Sequence, residues 1–333
     1  MATWLDPKTF NHRFATVNNG TRIHYVDEGV SDNIIVCVHG FPDIWYGWRH
    51  QIKHLAKLGY RVIAPDLRGY GQSDSPSVTA KTLELYSTKN LLADIIGILD
   101  ENNIKKAVWL GHDWGGSVVW RAALWYPSYV TAVGSVCTPY SPSPKVRVQL
   151  SDIVKLRKNW LYQAFFRTKL AADDLNANIE LFLKSVLRSH DEMVPSSIFS
   201  SSVPIYQRSI TSVGPITTSK LLADRELDYY VQQYSINGFE NALNLYKTHE
   251  INWDMEAAAG FINKSLSIPC LMITVSHDPA LPANFTKNME QLIPNLTRFH
   301  VENAGHWVLV EQHHKVNSYL SSFLATVFSS SNL

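Results

Sequence analysis

The sequence predicts an α/β fold, a mostly parallel twisted sheet flanked by helices, with a helical cap inserted into it. Three observations predict it. Apolar runs of strand length recur along the chain, helical patterns separate most of them, and the alternation breaks once, in the middle, where strand-like runs disappear.

Taken in order, Phe14–Val17 and Thr21–Val26 flank Asn18-Asn19-Gly20, residues that tolerate the positive φ of a tight turn, so the sheet is expected to open with an antiparallel hairpin. Ile34–Val38, Arg61–Ala64, Ala107–Leu110, Val130–Val136 and Cys270–Val275 then read as strands covered on both faces. The clearest helix starts from Ser87 as a cap and puts Leu91, Leu92, Ile95, Ile96 and Leu99 on one face. Strand and helix alternating in this way imply parallel pairing through crossovers. The break opens at Ser141-Pro-Ser-Pro144 and runs through helix-like aromatic stretches such as Asn159–Phe166, with a loop at Pro195–Pro204. The expected division is therefore core over 1–139, helical cap over 140–250, and core again over 251–333.

The 333 residues, 45% hydrophobic and 18% charged, suffice for a large buried core. Thirty Lys and Arg against twenty-nine Asp and Glu leave a net charge of +1, without the basic stripe of a nucleic-acid binder, so nucleic acids and anionic membranes are not expected partners. Cys37, Cys137 and Cys270 each sit in an apolar run and read as small buried hydrophobes rather than a disulfide framework, which favours a reducing compartment. The amino terminus carries charges where a signal peptide needs an apolar stretch, and no run reaches membrane-spanning length. The cytosol is the expected location. The tail Ser331-Asn332-Leu333 shares only its outline with a peroxisomal S-K-L signal, because the central basic residue is missing.

The strongest chemical signal is Gly111-His112-Asp113-Trp114-Gly115-Gly116, which lies between a strand and a helix-like stretch. It matches the nucleophile elbow G-x-S-x-G of the α/β-hydrolase fold with aspartate at the tip. Small flanking residues permit a sharp turn that exposes the central side chain. A carboxylate there can displace at carbon and form an ester without first losing a proton. The plainer alternative is that Asp113 caps the following helix. After the Ile34–Val38 strand comes His39-Gly40-Phe41-Pro42, where this fold carries an oxyanion loop; the backbone N–H groups of Phe41 and Trp114 are the expected donors. Asp66–Asp74 reads as structural, with Asp66 or Arg68 in a surface or supporting pair. Triads of this fold run nucleophile, acid, histidine along the chain. Asp278 ends the Cys270 strand, and His306, in Asn303-Ala-Gly-His-Trp307, follows Thr297–Val301, so these two complete the set. His313-His314 lacks metal-ligand spacing and reads as a solvated helix face.

Over nearly its whole length the chain resembles the hydrolase domain of soluble epoxide hydrolases. The resemblance is carried by H-G-F-P-D-I-W-Y-G-W-R-H-Q-I at His39–Ile52, G-H-D-W-G-G at Gly111–Gly116 and G-H-W at Gly305–Trp307. That family carries two cap tyrosines, and their contexts match Tyr162-Gln-Ala-Phe-Phe166 and Gly238–Lys247, which singles out Tyr162 and Tyr246. The resemblance implies conversion of a small apolar epoxide and water into a vicinal diol. Asp113 would attack, Tyr162 and Tyr246 would support the epoxide oxygen, and His306, held by Asp278, would activate water against the covalent ester. Neither a metal nor an organic cofactor is implied, a homodimer is left open, and the amino-terminal phosphatase domain of some animal relatives is not expected here. Two alternatives use the same scaffold. A haloalkane or haloacid dehalogenase would employ the same aspartate, although haloalkane dehalogenases often carry Asn where this chain has Phe41; a catalytically silent ligand-binding protein would leave the triad idle.

Overall fold

The computed structural model describes residues 5–17, 20–200 and 202–330; Asn18 and Asn19 of the expected hairpin turn and the Ser331–Leu333 tail lie outside them. Among the described residues, eight strands form one sheet: β1 (His12–Val17), β2 (Thr21–Glu28), β3 (Ile34–Val38), β4 (Arg61–Pro65), β5 (Ala107–His112), β6 (Val130–Val136), β7 (Cys270–His277) and β8 (Leu296–Gly305), in the spatial order β1-β2-β4-β3-β5-β6-β7-β8. β1 pairs antiparallel with β2, and β2 with β4; all remaining neighbours are parallel.

The burial of each strand explains its sequence. All of β3 and β5 is buried, as unbroken apolar runs require, whereas the edge strand β1 alternates between exposed and buried positions. The helix Thr88–Glu101 packs on β1 and β2 and buries Leu91, Leu92, Ile95, Ile96 and Leu99, the face expected from their spacing. It also packs against the Trp114–Trp125 helix, while Arg49–Lys57 packs against His313–Ser330. These two helix pairs flank the sheet.

The chain divides into two compact units. One holds the sheet and comprises Leu5–Leu67, Thr88–Pro142 and the residues from Lys264 onward; the other contains Arg68–Ser87 and Ser143–Asn263. The second unit is helical, with longer helices at Lys169–Ala177, Ile179–Val186, Asp224–Asn237 and His249–Ala258. Phe166, Phe182 and Phe239 pack ring edge to ring face at its centre. Arg68–Ser87 belongs there because its backbone is held by helical-unit side chains: Asn237 donates to the carbonyls of Gly71 and Ser73, and Asn241 to that of Ser75.

Asp66 takes the supporting rather than the surface form of its expected pair: it is fully buried, and its carboxylate binds His24 Nδ1 at 2.7 Å and accepts the Trp45 N–H. Two sequence readings need correction. Cys137 lies just past β6, with φ of 67°, not within the strand. Of the His313-His314 pair only His314 is exposed as a solvated face requires; His313 is half-buried and stacks on His50 at 4.2 Å. No helix among the described residues is long and apolar enough to cross a membrane.

Candidate active site

Strands β3, β5, β7 and β8 run parallel, so their carboxyl ends lie along one edge of the sheet. There β5 delivers Asp113, β7 delivers Asp278, β8 delivers His306 and β3 delivers the His39–Phe41 loop. Residues far apart in sequence thus converge because each follows the end of a neighbouring strand.

Asp113 sits at the turn into the Trp114–Trp125 helix with φ of 53° and ψ of −124°, a conformation sparsely populated for any residue but glycine. Its side chain makes no capping bond to that helix, which disfavours the plain cap reading. The turn survives because its neighbours are small. A Cβ on Gly115 would stand 2.0 Å from the Val38 carbonyl oxygen, and one on Gly40 would stand 2.3 Å from Asp113 Oδ1. The turn is also braced from β6: the Thr138 hydroxyl donates to the Asp113 carbonyl at 2.6 Å, and the Thr138 carbonyl accepts from Ser135 Oγ and Trp120 Nε1. Such backbone strain costs on the order of 1–3 kcal/mol and persists only where the surroundings hold it.

The Asp113 carboxylate accepts the Phe41 N–H on Oδ1 at 2.8 Å and is also bonded by the Trp114 N–H. Both expected donors therefore point at one carboxylate. Its other oxygen, Oδ2, lies 3.6 Å from His306 Nε2. On the far side of the ring, Nδ1 meets Asp278 Oδ2 at 2.7 Å, and Asp278 Oδ1 accepts the Ala280 and Leu281 N–H groups at 2.8 Å each. This fixes the order Asp278, His306, Asp113. Tyr162 and Tyr246 come together within the helical unit, their ring centroids 6.2 Å apart and nearly perpendicular, with Tyr246 buried and Phe166 against it.

Burial raises the Asp113 carboxyl above its ordinary range, against the charge of His306 and the two N–H donors, which pull it down. Burial also disfavours the charged form of His306, yet the Asp278 carboxylate and its hydrogen bond, with Asp113 and Asp43 behind them, prevail and push the imidazole up to about 9. For Asp278 the same pair works in reverse: burial raises it, and His306 with the two backbone donors brings it down to about 2.

Supporting residues that no motif announced complete the site. His112, fully buried, is pushed down to about 3, mainly by burial, and so stays neutral; its Nε2 donates to the His306 carbonyl at 2.8 Å. Cys137 Sγ stands 3.8 Å from the same oxygen. Thr138 and Cys137 lay in a segment legible only as the end of a strand. His112 lay inside the elbow motif, where the glycines and Asp113 carried the reading.

Comparison with known proteins is consistent throughout the chain. A family model described as alpha/beta hydrolase fold matches residues 33–312. The chain is 34% identical over 328 residues to bifunctional epoxide hydrolase 2 of Sus scrofa, covering 97% of this chain and 57% of that protein, so it spans little more than half the length of that relative. It is 31% identical to epoxide hydrolase A of Mycobacterium tuberculosis, covering 92% of this chain and 95% of the relative. The crystal structure of epoxide hydrolase A from Mycobacterium thermoresistibile superimposes with a TM-score of 0.83 at 32% identity, covering 95% and 98% of the two chains.

Proposed function

The chain belongs to the epoxide hydrolases of the α/β-hydrolase fold, and on that premise we propose that it converts epoxides into vicinal diols through a covalent ester on Asp113. The observation that carries the mechanism is the division of labour between the two Asp113 oxygens. Oδ1 accepts the Phe41 N–H and Oδ2 is turned to the His306–Asp278 pair. A carboxylate so arranged attacks carbon through Oδ2 and keeps Oδ1 where a tetrahedral oxyanion will need support.

In the first step, the phenols of Tyr162 and Tyr246 hydrogen-bond the epoxide oxygen and supply the proton as the ring opens. Asp113 forms the new C–O bond while the ring C–O bond breaks. In the second, His306 takes a proton from water, which attacks the ester carbonyl carbon. The N–H groups of Phe41 and Trp114 hold the oxyanion; as it collapses, the water's two protons, one of them carried by His306, go to the leaving diol oxygen and to the phenol that gave one up, and the carboxylate returns. Charge coupling orders the two steps. While Asp113 is ionised it helps keep His306 protonated; once it is an ester that charge is gone, and the imidazole moves toward the neutral form a base requires. The apolar character expected of the substrate suits a helical unit whose tyrosines stand among phenylalanines. The three unpaired, buried cysteines fit the cytosolic setting expected from sequence.

A single turnover in ¹⁸O-labelled water, with enzyme in excess, tests the covalent step. The first diol should carry no label, and the label should appear in the peptide containing Asp113. Labelled diol with unlabelled Asp113 would mean that water attacks the epoxide directly and that Asp113 serves as a base or a cap.

The phenols are tested separately from the nucleophile. Tyr162→Phe and Tyr246→Phe each remove one donor while keeping the ring, and a single such donor is typically worth about 3 kcal/mol, or roughly a hundredfold. Stopped-flow alkylation rates should fall by that order in each variant. Unchanged rates in the double variant would assign both rings to packing alone.

A further inference from the structure

The peptide between Asp113 and Trp114 is held at both ends. Its carbonyl accepts the Thr138 hydroxyl at 2.6 Å, and its N–H bonds the Asp113 carboxylate. This peptide is trans and planar, so its carbonyl and its N–H point in opposite directions and turn together. We propose that Thr138 is a positioning residue of the oxyanion hole: by holding the carbonyl, it keeps the Trp114 N–H aimed at the Asp113 carboxyl group. The effect on turnover rests on the functional reading above; the orientation of the peptide does not.

Three observations give the hydroxyl this role. Asp113, at φ of 53° and ψ of −124°, lies outside the wells open to residues with a side chain, so its peptide turns away unless something beyond the turn holds it. The following helix holds it only weakly, because the Ser117 N–H reaches the same carbonyl at 3.3 Å. Thr138 is itself anchored. Its carbonyl accepts Ser135 Oγ at 2.7 Å and Trp120 Nε1 at 3.0 Å, and the N–H of the preceding Cys137 donates to the Ile273 carbonyl of β7 at 2.9 Å. Gly116 permits the approach, since a Cβ there would stand 2.7 Å from the Thr138 Cβ.

The two half-reactions feel this N–H differently. Alkylation turns a carboxylate into a neutral ester, so a donor on the carboxylate is needed no more in that transition state than before it. Hydrolysis turns a neutral ester carbonyl into an oxyanion, and there the donor counts. Losing such a donor outright typically costs about 10²–10³ in rate; letting it swing should slow hydrolysis about tenfold and leave alkylation within about twofold at neutral pH.

Asp113-Trp114 is the one Asp–Trp step in the sequence, so the whole protein, made by cell-free synthesis with ¹³C-carbonyl aspartate and ¹⁵N-tryptophan, gives a single correlated carbonyl–amide resonance. In Thr138→Ala the Asp113 carbonyl carbon should shift as it loses the hydroxyl, and the Trp114 amide proton should move upfield as it leaves the carboxylate. Thr138→Ser, which keeps the hydroxyl, should restore both; Thr138→Val keeps the volume and serves where the alanine variant does not fold. Quenched-flow measurement with an aryl epoxide should show ester accumulating in Thr138→Ala, its formation unchanged and its hydrolysis slowed about tenfold. A carbonyl that shifts without the amide proton, hydrolysis at the wild-type rate, or both half-reactions slowed alike in a folded variant would each overturn the proposal. If wild type forms no ester at all, the functional reading fails, and the amide resonance still decides what Thr138 holds.

Discussion

Replacement of His306 by glutamine is expected to stop turnover while leaving the first half-reaction running, so epoxide-modified protein accumulates. Only ester hydrolysis needs an activated water; alkylation needs the Asp113 carboxylate, which is already formed. General-base assistance is typically worth about 10²–10⁴ in rate, and steady-state diol formation should fall by that order. Intact-mass measurement after mixing with an aryl epoxide should show one adduct per chain, and peptide mapping should place it on Asp113. Loss of the histidine also removes the cation 3.6 Å from Asp113 Oδ2, which burial then pushes further toward protonation. The alkylation rate of the variant should therefore fall at acidic pH sooner than that of wild type. Unmodified protein at every pH, with wild type active, would refute the two-step assignment.

Asp278→Asn should be nearly as damaging, by a different route. The amide keeps the shape of the carboxylate but not its charge, and it can present an N–H where His306 Nδ1–H needs an acceptor. In serine hydrolases the corresponding change lowers kcat by about 10⁴ through the wrong tautomer, and an effect of that order is expected here. The pH dependence of stability should change with it. Asp278 is depressed to about 2, so its contribution is full above the ordinary carboxylate range and is lost as pH falls through about 2. His306 is raised to about 9, so its contribution is full below about 6.5 and is lost as pH rises through 9. Wild type should thus hold a plateau from roughly pH 4 to 6.5 that the variant lacks. Urea midpoints across pH 2 to 10 would measure it; identical profiles would mean that the ion pair does not contribute to folding.

Much of this site could be read from the chain because its determinants are local. Gly111–Gly116 specifies a sharp turn by the size of contiguous residues, and the apolar runs before Asp113 and Asp278 specify strand ends without reference to anything distant. The same holds for the core face of the Thr88–Glu101 helix, where five apolar residues at helical spacing suffice. The chain order of nucleophile, acid and histidine follows from the fold those runs imply.

Other features depend on contacts between segments that no local window contains. That Thr138 would donate to the Asp113 carbonyl, or that Cys137 would take a φ of 67° beside the His306 carbonyl, depends on how β6 ends between β5 and β7. The buried pair of His24 and Asp66 is 42 residues apart in sequence and was visible only as two unremarkable polar positions. Arg68–Ser87 fell within the span read as core, 1–139, and clusters instead with the helical unit, held by asparagines more than 160 residues downstream. Sequence alone determined the kinds of residue that do the chemistry and the strand ends that carry them, because turn sterics and apolar periodicity act over a few residues. Only the tertiary structure decided their partners and protonation, because burial and charge coupling are set by whatever else the folded chain brings within a few ångströms.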